Sequence, residues 1–294
     1  MKEIQASAYK VKDSVHLDET PTLVDLGAGE EEIEQELKRV RKELGKWQDK
    51  LYAHGKYAVL VCLQGMDTAG KDSLIREVFK DFNVRGIVVH SFKVPTPLER
   101  KHDYLWRHYI ALPARGKFGI FNRTHYENVL VTRVHPEYIT GELLPDVNEV
   151  SDIDTEFWDK RFEQITNFER HIAENGTIIF KFYLHLSKAE QRNRLLRRLN
   201  KKSKNWKFSA GDLEERKFWN EYKKYYEDAI NRTSFDHAPW YVIPADDKPT
   251  ARLIVASILC NELRTYSDVQ EPELDEETLE NLHLYKEQLN KEKE

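Results

Sequence analysis

Gly65-Met66-Asp67-Thr68-Ala69-Gly70-Lys71-Asp72-Ser73 sets two glycines, a lysine and a hydroxyl at the spacing of a loop that cradles phosphate. Glycines let successive backbone N–H groups converge on phosphate oxygens, and the N-terminus of a following helix adds positive potential. Lys71 then reaches the terminal phosphates, so Gly65, Ala69, Gly70, Lys71, Asp72 and Ser73 are the candidate cradle. Two side chains depart from the usual pattern. A Ser or Thr ordinarily follows the lysine and holds magnesium; here Asp72 takes that place and the hydroxyl arrives one residue later, at Ser73. Asp67 puts a carboxylate inside an anion site, which is tolerable when a divalent cation sits beside it. Asp67 is therefore the candidate magnesium ligand or the residue that positions a phosphate acceptor. A loop that binds nucleotide without turning it over has the same pattern, and that alternative stays open.

A second polar cluster ends the run Phe118-Gly119-Ile120-Phe121, where Asn122, Arg123, Thr124, His125, Tyr126, Glu127 and Asn128 follow one another. An acid closing such a strand often organises the metal; Asn122 cannot supply the charge, and Glu127 is the candidate to do so. Arg123 is placed to hold phosphate, whereas His125 is expected to be structural. Asp67, Thr68, Asn122 and Asn128 are the candidates for contact with a nucleotide.

From Gln191 to Gly211 no residue is acidic, while Arg192, Arg194, Arg197, Arg198, Lys201, Lys202, Lys204 and Lys207 are all basic. On a helix Arg194, Arg197, Arg198 and Lys201 share one face and Leu195 and Leu199 another. Standing alone, such a run is a solvated face or a nonspecific nucleic-acid patch. Inserted after a late strand of a phosphate-binding sheet, it has the form of a lid, and lid arginines that meet transferred phosphoryl oxygens raise rates on the order of 10³ or more. Arg194 and Arg198 are the candidate catalytic arginines, with Lys204 and Lys207 as further phosphate contacts. Lys93, before the rigid turn Pro95-Thr96-Pro97, is either another phosphate contact or an ordinary surface lysine.

The elements that must position these groups follow from periodicity. A charged amphipathic helix spans 30–51, with Ile33, Leu37, Val40, Leu44 and Trp47 on one face. Strands are predicted at 57–64, 86–91, 117–122, 177–184 and 239–243, and helices at 71–81, 97–110, 155–174 and 248–264. Such alternation implies a parallel sheet with helices on both faces and ligands at the carboxyl ends of the strands, where Gln64, Lys93, Asn122 and Pro244 fall. The expected division is an N-terminal arm over 1–55, a core over 56–266 that includes a helical lid at about 187–211, and an acidic C-terminal helix or tail over 267–294.

Composition sets the outer limits. The 294 residues carry 33% charged and 40% hydrophobic side chains and a formal charge of -5, which describes a globular chain rather than a general nucleic-acid binder. No stretch has the length of a membrane span, and no secretory apolar region opens the chain, so a cytoplasmic location is expected. Cys62 and Cys260 lie in apolar runs and are expected to be buried free thiols.

The loop Gly65–Asp72, the cluster Asn122–Glu127, Trp206-Lys207-Phe208-Ser209 with Asp212, and His237–Asp246 together resemble the polyphosphate kinase 2 family, in the right order over roughly residues 30 to 265. The resemblance implies a P-loop kinase three-layer α/β sandwich, thymidylate-kinase-like, with a helical lid. It implies reversible transfer of the terminal phosphoryl group of inorganic polyphosphate to AMP and ADP, giving ADP and ATP, with magnesium or alternatively manganese. Asp67 and Lys71 would then belong to the Walker loop, Arg123 would contact phosphate, and Arg194 and Arg198 would be the lid arginines. Asn122 in place of Asp resembles the class III branch, whose members act on both AMP and ADP. A homo-oligomer, dimer or tetramer, is implied as well. The alternatives are an ATP-dependent nucleotide kinase on the same fold and a binding protein without turnover.

Overall fold

The computed structural model describes residues 1–292, with only the backbone of Lys207. Five strands, β1 Ala58–Gln64, β2 Ile87–Ser91, β3 Phe118–Asn122, β4 Thr177–His185 and β5 Trp240–Pro244, form one parallel sheet in the order β2-β3-β1-β4-β5. The helices are α1 Glu30–His54, α2 Lys71–Val78, α3 Trp106–Tyr109, α4 Glu127–Val134, α5 Glu137–Thr140, α6 Thr155–Glu174, α7 Lys188–Asn200, α8 Gly211–Glu215, α9 Trp219–Thr233, α10 Lys248–Leu263 and α11 Glu276–Lys291.

All seven residues of the central strand β1 are buried, as a strand covered on both faces requires. Its side chains divide with period two: Val59, Val61 and Leu63 join the core beneath α1, α2 and α10, while Leu60 and Cys62 join Phe168 and Ile172 of α6 on the opposite face. The sheet is thus the middle of three layers. Helix α10 is buried all round from Leu253 to Cys260 because that stretch is sandwiched between the sheet and α1. Cys62 and Cys260 are buried and free, as expected. Among the described residues no helix is long and apolar enough to cross a membrane.

The N-terminal segment is bound rather than loose. Val11 N donates to Trp240 O and Val242 N to Tyr9 O, each at 2.9 Å, so the segment covers the open edge of β5.

Two local expectations need correction. The single helix over 97–110 is instead a 3-10 turn at Glu99–Lys101 followed by the short α3. Thr96 and Glu99 cap each other at the first, and Asp103 accepts from Leu105 N at 2.9 Å to start the second, so side-chain caps divide what periodicity joined. Conversely, the polar cluster after β3 runs directly into a helix, α4, that the sequence pattern did not announce.

Candidate active site

The phosphate loop follows β1 and delivers its helix, α2, at Lys71. Gly70, the N-cap, holds φ +110°, open to glycine at little cost. At Gly65 a side chain would stand 3.0 Å from Leu184 O and 3.1 Å from Ala69 Cβ, so only glycine lets the loop pass β4 so closely. Lys71 Nζ lies back across the loop, 2.6 Å from Gly65 O. Burial, then the charge of Arg123, lowers its pKa from 10.5 to about 8, against the pull of Asp67 and Glu127. The Ser73 hydroxyl donates to Gly70 O at 2.9 Å and serves the loop backbone.

β3 and α4 bring the second cluster alongside. Arg123, held at φ +59°, donates from Nη2 to Asp67 Oδ1 at 2.8 Å and from Nη1 to Glu127 Oε2 at 3.4 Å. The charge of Glu127 is the leading cause of a raised Arg123 pKa, so the guanidinium is fixed as a cation. Asn122 Nδ2 donates to Asp72 Oδ1 at 2.6 Å, while its Oδ1 is buried with no partner.

The strained turn at Arg123 rests on a buried polar network. Glu169 accepts from His125 Nε2 at 2.9 Å, from Tyr126 OH at 2.9 Å and from Lys181 Nζ at 2.6 Å, and all four side chains are buried. Burial works to raise the Glu169 pKa, but Lys181 and His125 outweigh it and keep the carboxylate ionised. His125 is structural, as the sequence suggested.

Helix α7 grips the loop from behind. Gln191 Nε2 donates to Asp67 O at 3.0 Å, and Arg194 Nη1 donates to Thr68 O at 3.0 Å and Ala69 O at 2.9 Å. Arg194 Nη2 meets Ala245 O at 2.6 Å and Asp246 O at 2.9 Å, and its Nε meets Glu190 at 2.8 Å. All five guanidinium donors are engaged by protein. This buried arginine shapes the loop and has no hydrogen left for a phosphate in this arrangement. Farther along α7, Arg198 Nη1 is 2.7 Å from Asp212 Oδ2 of α8. Leu195 is buried, but Leu199 is 45% exposed and does not anchor the helix.

Asp67, Arg123 and Glu127 open on a cleft of about 230 Å³ whose far wall is Asp212, Glu215, Arg216, Trp219 and Tyr222. Sequence reasoning named Asp212 only as part of the resemblance, without a role, and missed the rest of this wall, because only folding brings α8 and α9 over the loop. Asp212 is pushed up in pKa by burial and by Asp67. Among the described residues no three metal-binding side chains are close enough to hold an ion unaided. The four carboxylates of the cleft, Asp67, Glu127, Asp212 and Glu215, are hard oxygen donors of the kind magnesium takes when phosphates and water complete its shell. The residues present therefore fit that ion as partial ligands.

Other candidates fall outside the cleft. Asn128 Nδ2 is committed to His125 O at 2.9 Å. Lys93 and Lys204 are exposed, and the Lys207 side chain lies outside the described residues. Thr68 is in the loop at φ +67°, its hydroxyl buried without a partner. Lys248 was not anticipated; its Cε lies 3.8 Å from where a Gly70 Cβ would stand.

A profile of the family described as Polyphosphate kinase 2 (PPK2) matches residues 28–272. A protein of Rhodopseudomonas palustris named ADP-polyphosphate phosphotransferase is 44% identical over 266 residues, 90% of this chain and 91% of the relative. One of Meiothermus ruber named AMP/ADP-polyphosphate phosphotransferase is 46% identical over 224 residues, 76% and 78% of the two chains. The crystal structure of polyphosphate kinase 2 from Arthrobacter aurescens TC1 superposes with a TM-score of 0.87 at 33% identity, covering 96% of each chain.

Proposed function

The chain belongs to the polyphosphate kinase 2 family, and from that premise we propose that it moves the terminal phosphoryl group of inorganic polyphosphate onto AMP and then ADP. The observation that carries this reading is the ion-paired set Asp67, Arg123 and Glu127, which opens on one cleft beside the phosphate loop and Lys71. An amide at position 122 and the relative named for both AMP and ADP favour the two-step form.

An acceptor phosphate oxygen is anionic near neutral pH, so no general base is needed and catalysis is alignment plus charge neutralisation. Lys71, Arg123 and Arg198 hold the phosphates, with Arg123 and Arg198 exchanging Asp67 and Asp212 for substrate oxygens. Arg194 keeps the loop N–H groups turned toward the anion by occupying the carbonyls behind them. Asp67, with Glu127, would hold magnesium, which when bound screens the charge between donor and acceptor phosphates.

The test is to supply purified protein with magnesium, long-chain polyphosphate and AMP and to follow ADP and ATP over time. ADP followed by ATP is expected. ADP alone removes the two-step form, and no product removes the reading.

A further inference from the structure

The five strands run parallel, so their amino ends lie together at the pole opposite the phosphate loop, which follows the carboxyl end of β1. At that pole a second cavity, of about 330 Å³, is lined by the starts of β4 and β5 and the end of α10, and it shares no residue with the Asp67 cleft. Tyr241 lines it from β5, fully buried, and its hydroxyl has no hydrogen-bond partner. His237, also in the lining, has a buried Nε2 that is likewise unpartnered. Burial, then the charge of Glu262, pushes the Tyr241 pKa up: the carboxylate stands near the hydroxyl without closing a bond to it, and the hydroxyl keeps its proton. Tyr57 and Tyr266 add two aromatic rings in edge contact at 5.4 Å, and Tyr57 is fixed by donating to Asp268 Oδ2 at 2.7 Å. Charge in the lining is uneven. Lys10 Nζ is 3.9 Å from Asp236, whereas among the described residues neither Glu262 nor Glu174 has a cation within ion-pair distance. Polar atoms buried without partners are rare in folded proteins unless water or a ligand serves them, and the surplus charge here is negative.

We propose that this cavity binds a small organic cation, a primary ammonium on a short alkyl stem, with the stem against Tyr57 and Tyr266 and the ammonium donating to the Tyr241 hydroxyl and the Glu262 carboxylate. Aromatic faces attract such a cation, and its N–H groups meet both oxygens at once. An uncharged alcohol would serve the hydroxyl and leave the carboxylates unbalanced. A quaternary ammonium would balance them but has no N–H for either oxygen. The site does not depend on the polyphosphate reading, because cavity and cleft lie at opposite ends of the sheet and can be filled together.

The full-length protein, in amine-free buffer near pH 7 and without nucleotide or polyphosphate, is titrated calorimetrically with n-butylamine, and n-butanol and tetramethylammonium serve as controls. Saturable binding of one butylammonium is expected, with a Kd on the order of 1 mM or tighter, and each control should bind at least about tenfold more weakly. Glu262→Gln, at a partly exposed position, should weaken butylammonium about tenfold or more. Tyr241→Phe fills the same space and removes a hydroxyl that has no partner, so the free protein should melt no lower than the parent while the ammonium binds about threefold or more less tightly. Absence of saturable binding, equal binding of n-butanol, or butylammonium binding unchanged in both variants overturns the site.

Discussion

Asn122 donates a 2.6 Å hydrogen bond to the carboxylate of Asp72, tying the last residue of β3 to the second residue of α2. The acid sits on the helix, where a hydroxyl is usual, and an amide on the strand, where an acid is usual, and the two fit because only one is charged. Asn122→Asp would oppose two carboxylates there. Activity at neutral pH should fall about tenfold and recover in part when Asp72→Asn is added, with a coupling of about 1 kcal/mol or more across the double-mutant cycle. Additive losses would show that the pair does not act as a unit.

Asp67→Asn separates function from stability. The Asp67–Arg123 pair is 28% and 43% exposed, so its loss should cost only about 0–1 kcal/mol in a denaturant melt. Turnover of AMP and ADP should drop on the order of 10²-fold or more. Retained turnover would remove Asp67 from the reaction.

Arg194 acts through the loop. Arg194→Lys should fail to rescue Arg194→Met, because one ammonium cannot reproduce a planar fork that serves four carbonyls and Glu190. A destabilisation of about 3–5 kcal/mol is expected, from stranded buried groups. Calorimetry measures it, and a fully stable Lys variant would contradict the clamp.

Lys71 links binding to protons. Its pKa of about 8 means that near pH 8 much of the free protein carries a neutral amine at the loop. Phosphate favours the charged form and raises that pKa, so binding should take up protons near pH 8, and kcat/KM should fall as pH rises above it. Titration calorimetry in buffers of different ionisation enthalpy measures the uptake. Proton release on binding would reverse the assigned direction.

Lys181→Met should strand the ionised Glu169 in the core, since Lys181 Nζ lies 2.6 Å from its carboxylate and both are fully buried. A loss of about 3–5 kcal/mol is expected in a denaturant melt, and Lys181→Met with Glu169→Leu should recover part of it. A single variant as stable as the parent would show that the network does not hold the Arg123 turn.

The strands, the phosphate loop and the long helices were legible in the sequence because each is written in local terms: an apolar run, a glycine spacing, a stripe at 3.6-residue period. Asp67, Lys71 and Arg123 could be named for the same reason, as their neighbours along the chain identify them. The helix over 97–110 misled, because the caps at Thr96 and Asp103 compete with the apolar pattern and win locally. Arg194 and Arg198 share a helix face in sequence. Only the tertiary structure turns the first inward onto the carbonyls of the loop and leaves the second facing Asp212. Lys248 lies far along the chain from Gly70, and only the fold brings the two side by side. Local chemistry is set by neighbours in the chain, whereas counter-charge is set by neighbours in space. The sequence by itself therefore determined which residues are candidates to meet phosphate, and the fold decided which of them are already held by partners within the protein.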